Sequence, residues 1–297
     1  MMYDKKISVI MGVYNQNDKK ILLDAVQSIL HQSIDDFEFI IYNDGSEKQV
    51  YEYLKKIKDL DERIILIGAE KNNGLAFSLN ECINIAKGEY IARMDADDIS
   101  YPERFREQVM FLDKHKEYQW CGCNADIFDE SGVWGERKMP ECPDNADFLK
   151  YSPYIHTSVM YRAELFKNIG MYDDSVETLR CEDYEMFMRF HNMGIKGYNL
   201  QKTLFGYREN RKSYNKRKIK YRINEAKIRY RNFKKMKMLF PTGWMYVIRP
   251  IAGIIIPNQL IYKIKRRKDE KKKSDKNTEI QKNIIGGSDI LTDGKEL

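Results

Sequence analysis

The stretch YIARMDADDISYPERF, residues 90–105, decides how the rest of the chain is read. It opens as a strand with Tyr90, Ile91 and Ala92. It then sets three carboxylates, Asp95, Asp97 and Asp98, within four positions. Ser100, Pro102 and Glu103 follow in the pattern of a capping box with an early proline, which predicts a helix start at Ser100. Like charges at the end of a buried strand are costly unless something compensates them.

Upstream, the pattern alternates. ISVIMGVYN (7–15), DFEFIIYNDGS (36–46), RIILIGAE (63–70) and YIARMD (90–95) read as strands. KKILLDAVQSILHQS (19–33), VYEYLKKIKDL (50–60) and GLAFSLNECINIAKGE (74–89), the last ended by Gly88, read as helices. Alternating elements with nearly continuous apolar strands mean an α/β fold. Its central sheet is mostly parallel, with helices on both faces. Ligands bind beyond the carboxyl ends of such strands. The polar clusters fall at those ends: Gly12 to Asn17, Asn43 to Ser46, Lys71 to Gly74, and Asp95 to Asp98.

Past Leu112 the regularity weakens. YQWCGCNADIFDESG (118–132) reads as a strand and turn, and residues 151–174 as a loop, a strand and a short helix. RCEDYEMFMRFHNMG (180–194) reads as a helix with Glu182 and Asp183 in its first turn. Residues 218–239 read as a basic helix.

An Asp-x-Asp on an extended strand end puts both side chains on one side. Carboxylates so placed suit Mn²⁺ or Mg²⁺, hard ions held by one or two carboxylates plus substrate phosphates. The competing interpretation is a solvated acidic loop at a helix N-terminus, which Asp98 fits well. Position after the fourth alternating strand, beside three more polar loops, favours the metal for Asp95 and Asp97. For Glu182 and Asp183, a pair of helix N-terminal charges and a catalytic pair stand level on the residues alone.

Taken in order, ISVIMGVYN, FIIYNDGS, NNGLAFSLNECINIAKGEYIARMDADD, HTSVMYRAELFKNIGMYDD and CEDYEMFMRF resemble the family 2 glycosyltransferases of the GT-A fold. The resemblance runs over residues 5–210 and is strongest to bacterial enzymes that build capsule, exopolysaccharide or lipopolysaccharide. Gly12 stands where the family usually has proline. The resemblance implies inverting transfer from a nucleotide sugar, usually a UDP-sugar, with Mn²⁺ or Mg²⁺. By position it places Gly12, Val13, Tyr14 and Asn15 in the nucleotide pocket and Asp44 against the uracil ring. Asn73 and Gly74 come near the nucleotide, Asp95 near the ribose or donor sugar, and Asp97 on the metal. Asp183, or in second place Glu182, is the general base. An attacking hydroxyl must lose its proton, so a carboxylate opposite the leaving group is required.

Other residues carry weaker expectations. His156 is a contact to acceptor or phosphate, or a structural histidine. Arg93 and Arg189 meet phosphate or pair with nearby acids. Tyr207 and Arg208 form part of a lid. Trp120 and Trp134 stack on a sugar, although burial is the usual fate of tryptophan.

The 297 residues, 42% apolar, are enough for one large domain or two small ones. The apolar run at the N-terminus is too short for a secretory signal. Cys82, Cys121, Cys123, Cys142 and Cys181 form no CxxC pair, so reduced thiols in a cytosolic protein are expected. The net charge is +6, and Arg208 to Lys237 holds 14 Lys or Arg against two acids. GWMYVIRPIAGIIIPNQLIYKIKRR (243–267) is cut by Arg249, Pro250 and Pro257 and is not a spanning helix. Its aromatics, aliphatics and flanking cations suit a membrane interface, with a helix packed on the domain's own core as the alternative. A lipid-linked or saccharide acceptor fits this composition better than nucleic acid.

The expected organisation is a GT-A domain at 1–210, its nucleotide-sugar half at 1–115 and its acceptor half at 116–210. A basic, amphipathic, membrane-associating segment follows at 211–267, and a disordered tail at 268–297. The expected location is the cytoplasmic face of the cell membrane. Two other functions compete. A sugar-nucleotide nucleotidyltransferase would want a Gly- and Arg-rich loop after the first strand, and MGVYNQNDKK (11–20) has none. A non-catalytic carbohydrate-binding relative would have no need of Asp44, Asp95, Asp97 and Asp183.

Overall fold

The computed structural model describes residues 3–209 and 219–253. Its strands are β1 (Lys5–Val13), β2 (Phe37–Asp44), β3 (Ile64–Ala69), β4 (Gly88–Arg93), β5 (Ile99–Ser100), β6 (Tyr118–Asp129), β7 (Gly132–Arg137), β8 (Met160–Arg162) and β9 (Lys196–Arg208). Its helices are α1 (Lys19–Leu30), α2 (Lys48–Lys58), α3 (Leu75–Ile85), α4 (Arg104–Lys114), α5 (Ala163–Ile169), α6 (Glu182–Asn192), α7 (Ile219–Lys235) and α8 (Trp244–Ala252).

One sheet runs β3-β2-β1-β4-β8-β6-β9-β5, with β7 beside β6. The first four strands in that order are parallel. The second half joins through antiparallel β8 and adds a parallel β6–β9 pair. Both expected halves therefore share a single sheet.

Side-chain alternation along the strands splits the core in two. Val9, Met11, Phe39 and Ile41 face one way, onto Leu22, Val26, Leu54, Phe105 and Val109 from α1, α2 and α4. Ile10, Ile40 and Tyr42 face the other way, with Leu79, Trp120, Phe166 and Phe187. Burial on both faces is why these strands read as unbroken apolar runs.

Two boundaries differ from expectation. Ser100 does not cap a helix. It lies in β5, pairs with Phe205 of β9, and its Oγ accepts from Gln32 Nε2 at 3.1 Å. The helix begins only at Arg104, and Glu103 before it makes no side-chain cap. Gly88 does not end a helix either. α3 stops at Ile85, and Gly88 opens β4. There its N–H donates to Ser8 Oγ at 2.8 Å, and Ser8 Oγ donates to Glu38 Oε1 at 2.6 Å. A Cβ on Gly88 would lie 2.4 Å from the Ser8 nitrogen, so only glycine fits.

No described helix is long and apolar enough to cross a membrane. All five cysteines are free; Cys142 is exposed and the others are buried. Trp120 and Trp134 are both buried, which leaves neither a face for a sugar. The readings for 254–267 and for the tail at 268–297 lie outside the described residues.

Candidate active site

The carboxyl ends of β1, β2, β3 and β4 deliver four loops to one edge of the sheet, as the alternation predicts. Each expected residue can be placed there. Gly12 lies within β1, where a Cβ would meet Leu75 and Ser78 of α3 at 3.2 Å; its lack of a side chain admits that helix. Val13 is buried in the core. Only the backbones of these two residues face the loop edge. Tyr14 is 54% exposed. Asn15 takes a left-handed φ of 49°, a conformation asparagine tolerates better than most residues. Its N–H donates to Ser46 Oγ at 3.0 Å, and its Oδ1 accepts from Glu47 N at 2.8 Å. Asn15 thus ties the first loop to the second.

Asp44 ties the second loop to the third. Its carboxylate accepts from Asn73 N at 2.7 Å, Gly74 N at 3.0 Å and Asn72 Nδ2 at 2.8 Å. Burial pushes its pKa up, against these donors. The Ser78 hydroxyl adds to these donors, and a carboxylate has room for about four hydrogen bonds.

The fourth loop holds the acids. Asp95, Asp97 and Asp98 each offer an oxygen within 4.8 Å of the others; among the described residues no other group of His, Cys, Asp or Glu meets that geometry. Asp98 corrects the expectation of a helix-end charge. It is buried, its Oδ1 accepts from Arg208 N at 2.8 Å, and its Oδ2 has no hydrogen-bond partner among the described residues. Burial first, then Asp97 and Asp95, hold its carboxyl well above the usual range. Three converging carboxylates, one of them buried, fit a divalent cation, which would relieve that repulsion.

Arg93, fully buried at the end of β4, sets Nη1 2.5 Å from Asp95 Oδ1. Burial would lower its pKa, but Asp95, Tyr172 and Asp98 around it more than offset this and hold it up. It thus pairs with an acid, as one of its two expectations had it. Arg189 does the same with Glu185. Arg208 reaches the acidic loop. Its Nε donates to Asp97 O at 2.8 Å, which together with the bond to Asp98 fastens the acidic loop to β9.

Glu182 and Asp183 open α6. Burial raises both; Glu182, with Asp183 beside it, is pushed up to about 7. Asp183 feels Arg93 and Asp95, so it belongs to the acidic loop's side of the site. His156 Nε2 lies 2.7 Å from Tyr172 Oη, and burial, then Arg93, drive its pKa well down. Tyr172 and Thr157, which interact with Arg93 and Asp98 respectively, carried no signal in the sequence.

The model of the family described as "Glycosyl transferase family 2" matches residues 8–170. This chain is a family 2 glycosyltransferase. It is 36% identical over 253 residues to "Putative glycosyltransferase EpsE" of Bacillus subtilis (strain 168), covering 85% of this chain and 90% of that one. It is 30% identical over 222 residues to the "O-antigen biosynthesis glycosyltransferase WbnJ" of Escherichia coli, covering 72% and 84%. The fold is similar to that of a mannosyltransferase from Pyrobaculum calidifontis in complex with GDP-Man and Mn²⁺. The TM-score is 0.61 at 13% identity, over all of this chain and 92% of that one. This family 2 glycosyltransferase thus has relatives in bacterial polysaccharide synthesis and a GT-A architecture.

Proposed function

We propose that the enzyme moves a sugar, with inversion, from a nucleotide donor to a hydroxyl of a saccharide or lipid-linked acceptor during bacterial surface polysaccharide synthesis. It works at the cytoplasmic face of the cell membrane. A UDP-sugar is the first choice of donor, on the family resemblance. The observation that carries this reading is the carboxylate cluster of Asp95, Asp97 and Asp98, beside the Asp44-held loop and within electrostatic reach of Asp183.

The nucleotide lies over the loop edge, against Tyr14 and the backbone of Gly12 to Asn15. Asp44 takes a hydrogen bond from the base, and Asn73 and Gly74 flank it. Asp95, oriented by Arg93, faces the ribose or donor sugar. Mn²⁺ or Mg²⁺, held by Asp97 with Asp98 behind it, would neutralise the diphosphate as it leaves. Asp183 takes the proton of the acceptor hydroxyl as that oxygen bonds to the anomeric carbon and the bond to the diphosphate breaks. Attack opposite the leaving group inverts the centre. The division is a GT-A domain over 1–210 and a membrane-associating segment after it.

The test is calorimetric titration with UDP, GDP and CMP, with and without Mn²⁺, on wild type and Asp97→Ala. UDP binding that needs Mn²⁺ and is lost in Asp97→Ala is expected. Metal-dependent GDP binding would replace the donor base. Binding of no nucleotide would sink the reading.

A further inference from the structure

The acidic loop leaves β4 at Arg93 and enters β5 at Ile99. One side chain joins its two stems. Arg104, the first residue of α4, donates from Nη2 to Arg93 O at 2.8 Å and from Nη1 to Ser100 Oγ at 3.4 Å. Asp95, Asp97 and Asp98 all lie between these two anchor points.

The Arg104 side chain is 0% exposed. Arginine is almost never fully buried without a partner acid, because taking its charge out of water is costly. Yet its three acceptors, Arg93 O, Ser100 Oγ and, at 3.1 Å, Gln108 Oε1, are all neutral. Gln108 in turn donates to Cys121 O at 3.0 Å and Ser158 O at 2.8 Å, which fixes the fork against β6. The guanidinium carbon lies 5.4 Å from the ring centre of Phe105 and 5.0 Å from that of Phe205. An aliphatic side chain would fill this space without burying a charge. It would not hold two stems at one spacing, which a planar fork of N–H donors does. Gln32 bonds Ser100 only, and Arg208 bonds the middle of the loop. Of these three residues, only Arg104 bonds both stems.

We propose that Arg104 is a positioning residue of the cation site: its guanidinium sets the separation of the loop stems, and with it the spacing at which Asp95, Asp97 and Asp98 converge on a divalent cation. The inference rests on the metal-dependent glycosyltransferase reading and deepens it. Without a cation, like charges drive the three carboxylates apart. A clamp across the stems resists that opening, so the site is shaped before the metal arrives. Arg104 is buried behind the loop and acts through the acids, not on the substrate. Lysine keeps the charge but is a single point on a flexible stem, and cannot fasten both stems in a fixed geometry.

The experiment titrates UDP calorimetrically, at a series of Mn²⁺ concentrations, into wild type, Arg104→Lys, Ser100→Ala and Gly88→Ala, and melts each protein in parallel. Gly88→Ala is the control for lost stability alone, since Gly88 lies at the far end of β4. The half-saturating Mn²⁺ concentration is expected to rise roughly tenfold or more in Arg104→Lys, the size usual when a group that orients metal ligands is lost. Ser100→Ala removes one anchor and keeps the guanidinium, and is expected to raise it roughly two- to tenfold. At saturating Mn²⁺ both variants are expected to approach wild-type UDP affinity. Gly88→Ala is expected to keep the wild-type Mn²⁺ requirement although it melts lower. An unchanged requirement in Arg104→Lys overturns the proposal. So does a rise in Gly88→Ala that matches the one in Arg104→Lys, which makes Arg104 structural. If Arg104→Lys does not fold, Ser100→Ala decides, and an unchanged requirement there overturns the clamp. A wild type whose UDP binding is absent, or indifferent to Mn²⁺, fails before any variant is compared; it ends the metal-dependent reading itself, and the proposal with it.

Discussion

Arg93 lies where the acidic groups of the site converge. With Asp95 at 2.5 Å it also stabilises the charged forms of Glu182 and Asp183. It therefore opposes the burial that favours the neutral acid at Asp183. Asp183→Asn removes the proton acceptor and little else. Donor affinity is expected to stay within a few fold, and transfer to fall by roughly 10²–10⁴; full transfer by this variant would remove Asp183 as the base. Glu182 gives a separate, pH-dependent expectation. Its folded pKa of about 7 lies above the 4.5 it has unfolded, so its protonated form favours the fold. That contribution is complete below 4.5 and is lost as pH rises through about 7. At about 1.4 kcal/mol per pH unit, the interval is worth roughly 3 kcal/mol at most. Glu182→Gln escapes the loss. Calorimetry at pH 8 is expected to show it melting above wild type, with the gap closing towards pH 5. Equal melting points at pH 8 would contradict the burial of this carboxyl.

At the scale of the elements, the N-terminal edge of the sheet is held by a short polar chain. Gly88 N–H donates to Ser8 Oγ, and Glu38 Oε1 accepts from both Ser8 Oγ and Lys87 N. Gly88→Ala would drive a methyl into the β1 backbone. Overpacking of this kind costs about 1–3 kcal/mol, and equilibrium urea unfolding is expected to show a loss of that order; a loss under 0.5 kcal/mol would mean that β1 and β4 can separate freely. The same junction shows what the sequence could and could not convey. The apolar runs of β1 to β4 and the helices between them were legible, because burial on both faces leaves a local pattern. The four polar loops were legible too, since they interrupt it. Gly88 was misread because a glycine that ends a helix and one that admits a neighbouring strand look alike in a string. Ser100 was misread because its partners, Gln32 and Phe205, are 68 and 105 residues away. Asp98 was misread for the same reason, being bound to Arg208 across 110 residues. Contacts closed by the tertiary fold leave no period for a sequence to carry.

Across the whole molecule, charge and apolar surface meet at the C-terminal helices. α7 packs inward through Ile228 and Phe233 and carries a run of Lys and Arg. α8 is attached at several points. Tyr246 and Val247 pack on the core, Arg222 Nη1 donates to Pro250 O at 3.3 Å, and Arg249 Nη1 donates to Lys150 O at 3.1 Å. The two expectations for this segment are therefore compatible, because one side of α8 docks on the domain while Trp244, Met245, Ile248 and Ile251, with Phe240 before them, stay exposed. Exposed apolar side chains beside basic residues suit an anionic lipid surface. Each side chain that inserts contributes roughly 1.5–3 kcal/mol, enough for three of them to govern binding. Trp244→Ser, Ile248→Ser and Ile251→Ser combined are expected to cut sedimentation with phosphatidylglycerol vesicles at least tenfold, while Mn²⁺-dependent nucleotide binding stays intact. Salt should weaken the wild type on these vesicles, because it screens the basic helix, and should matter little on neutral phosphatidylcholine. A triple variant that still sediments like wild type would move the membrane contact away from α8.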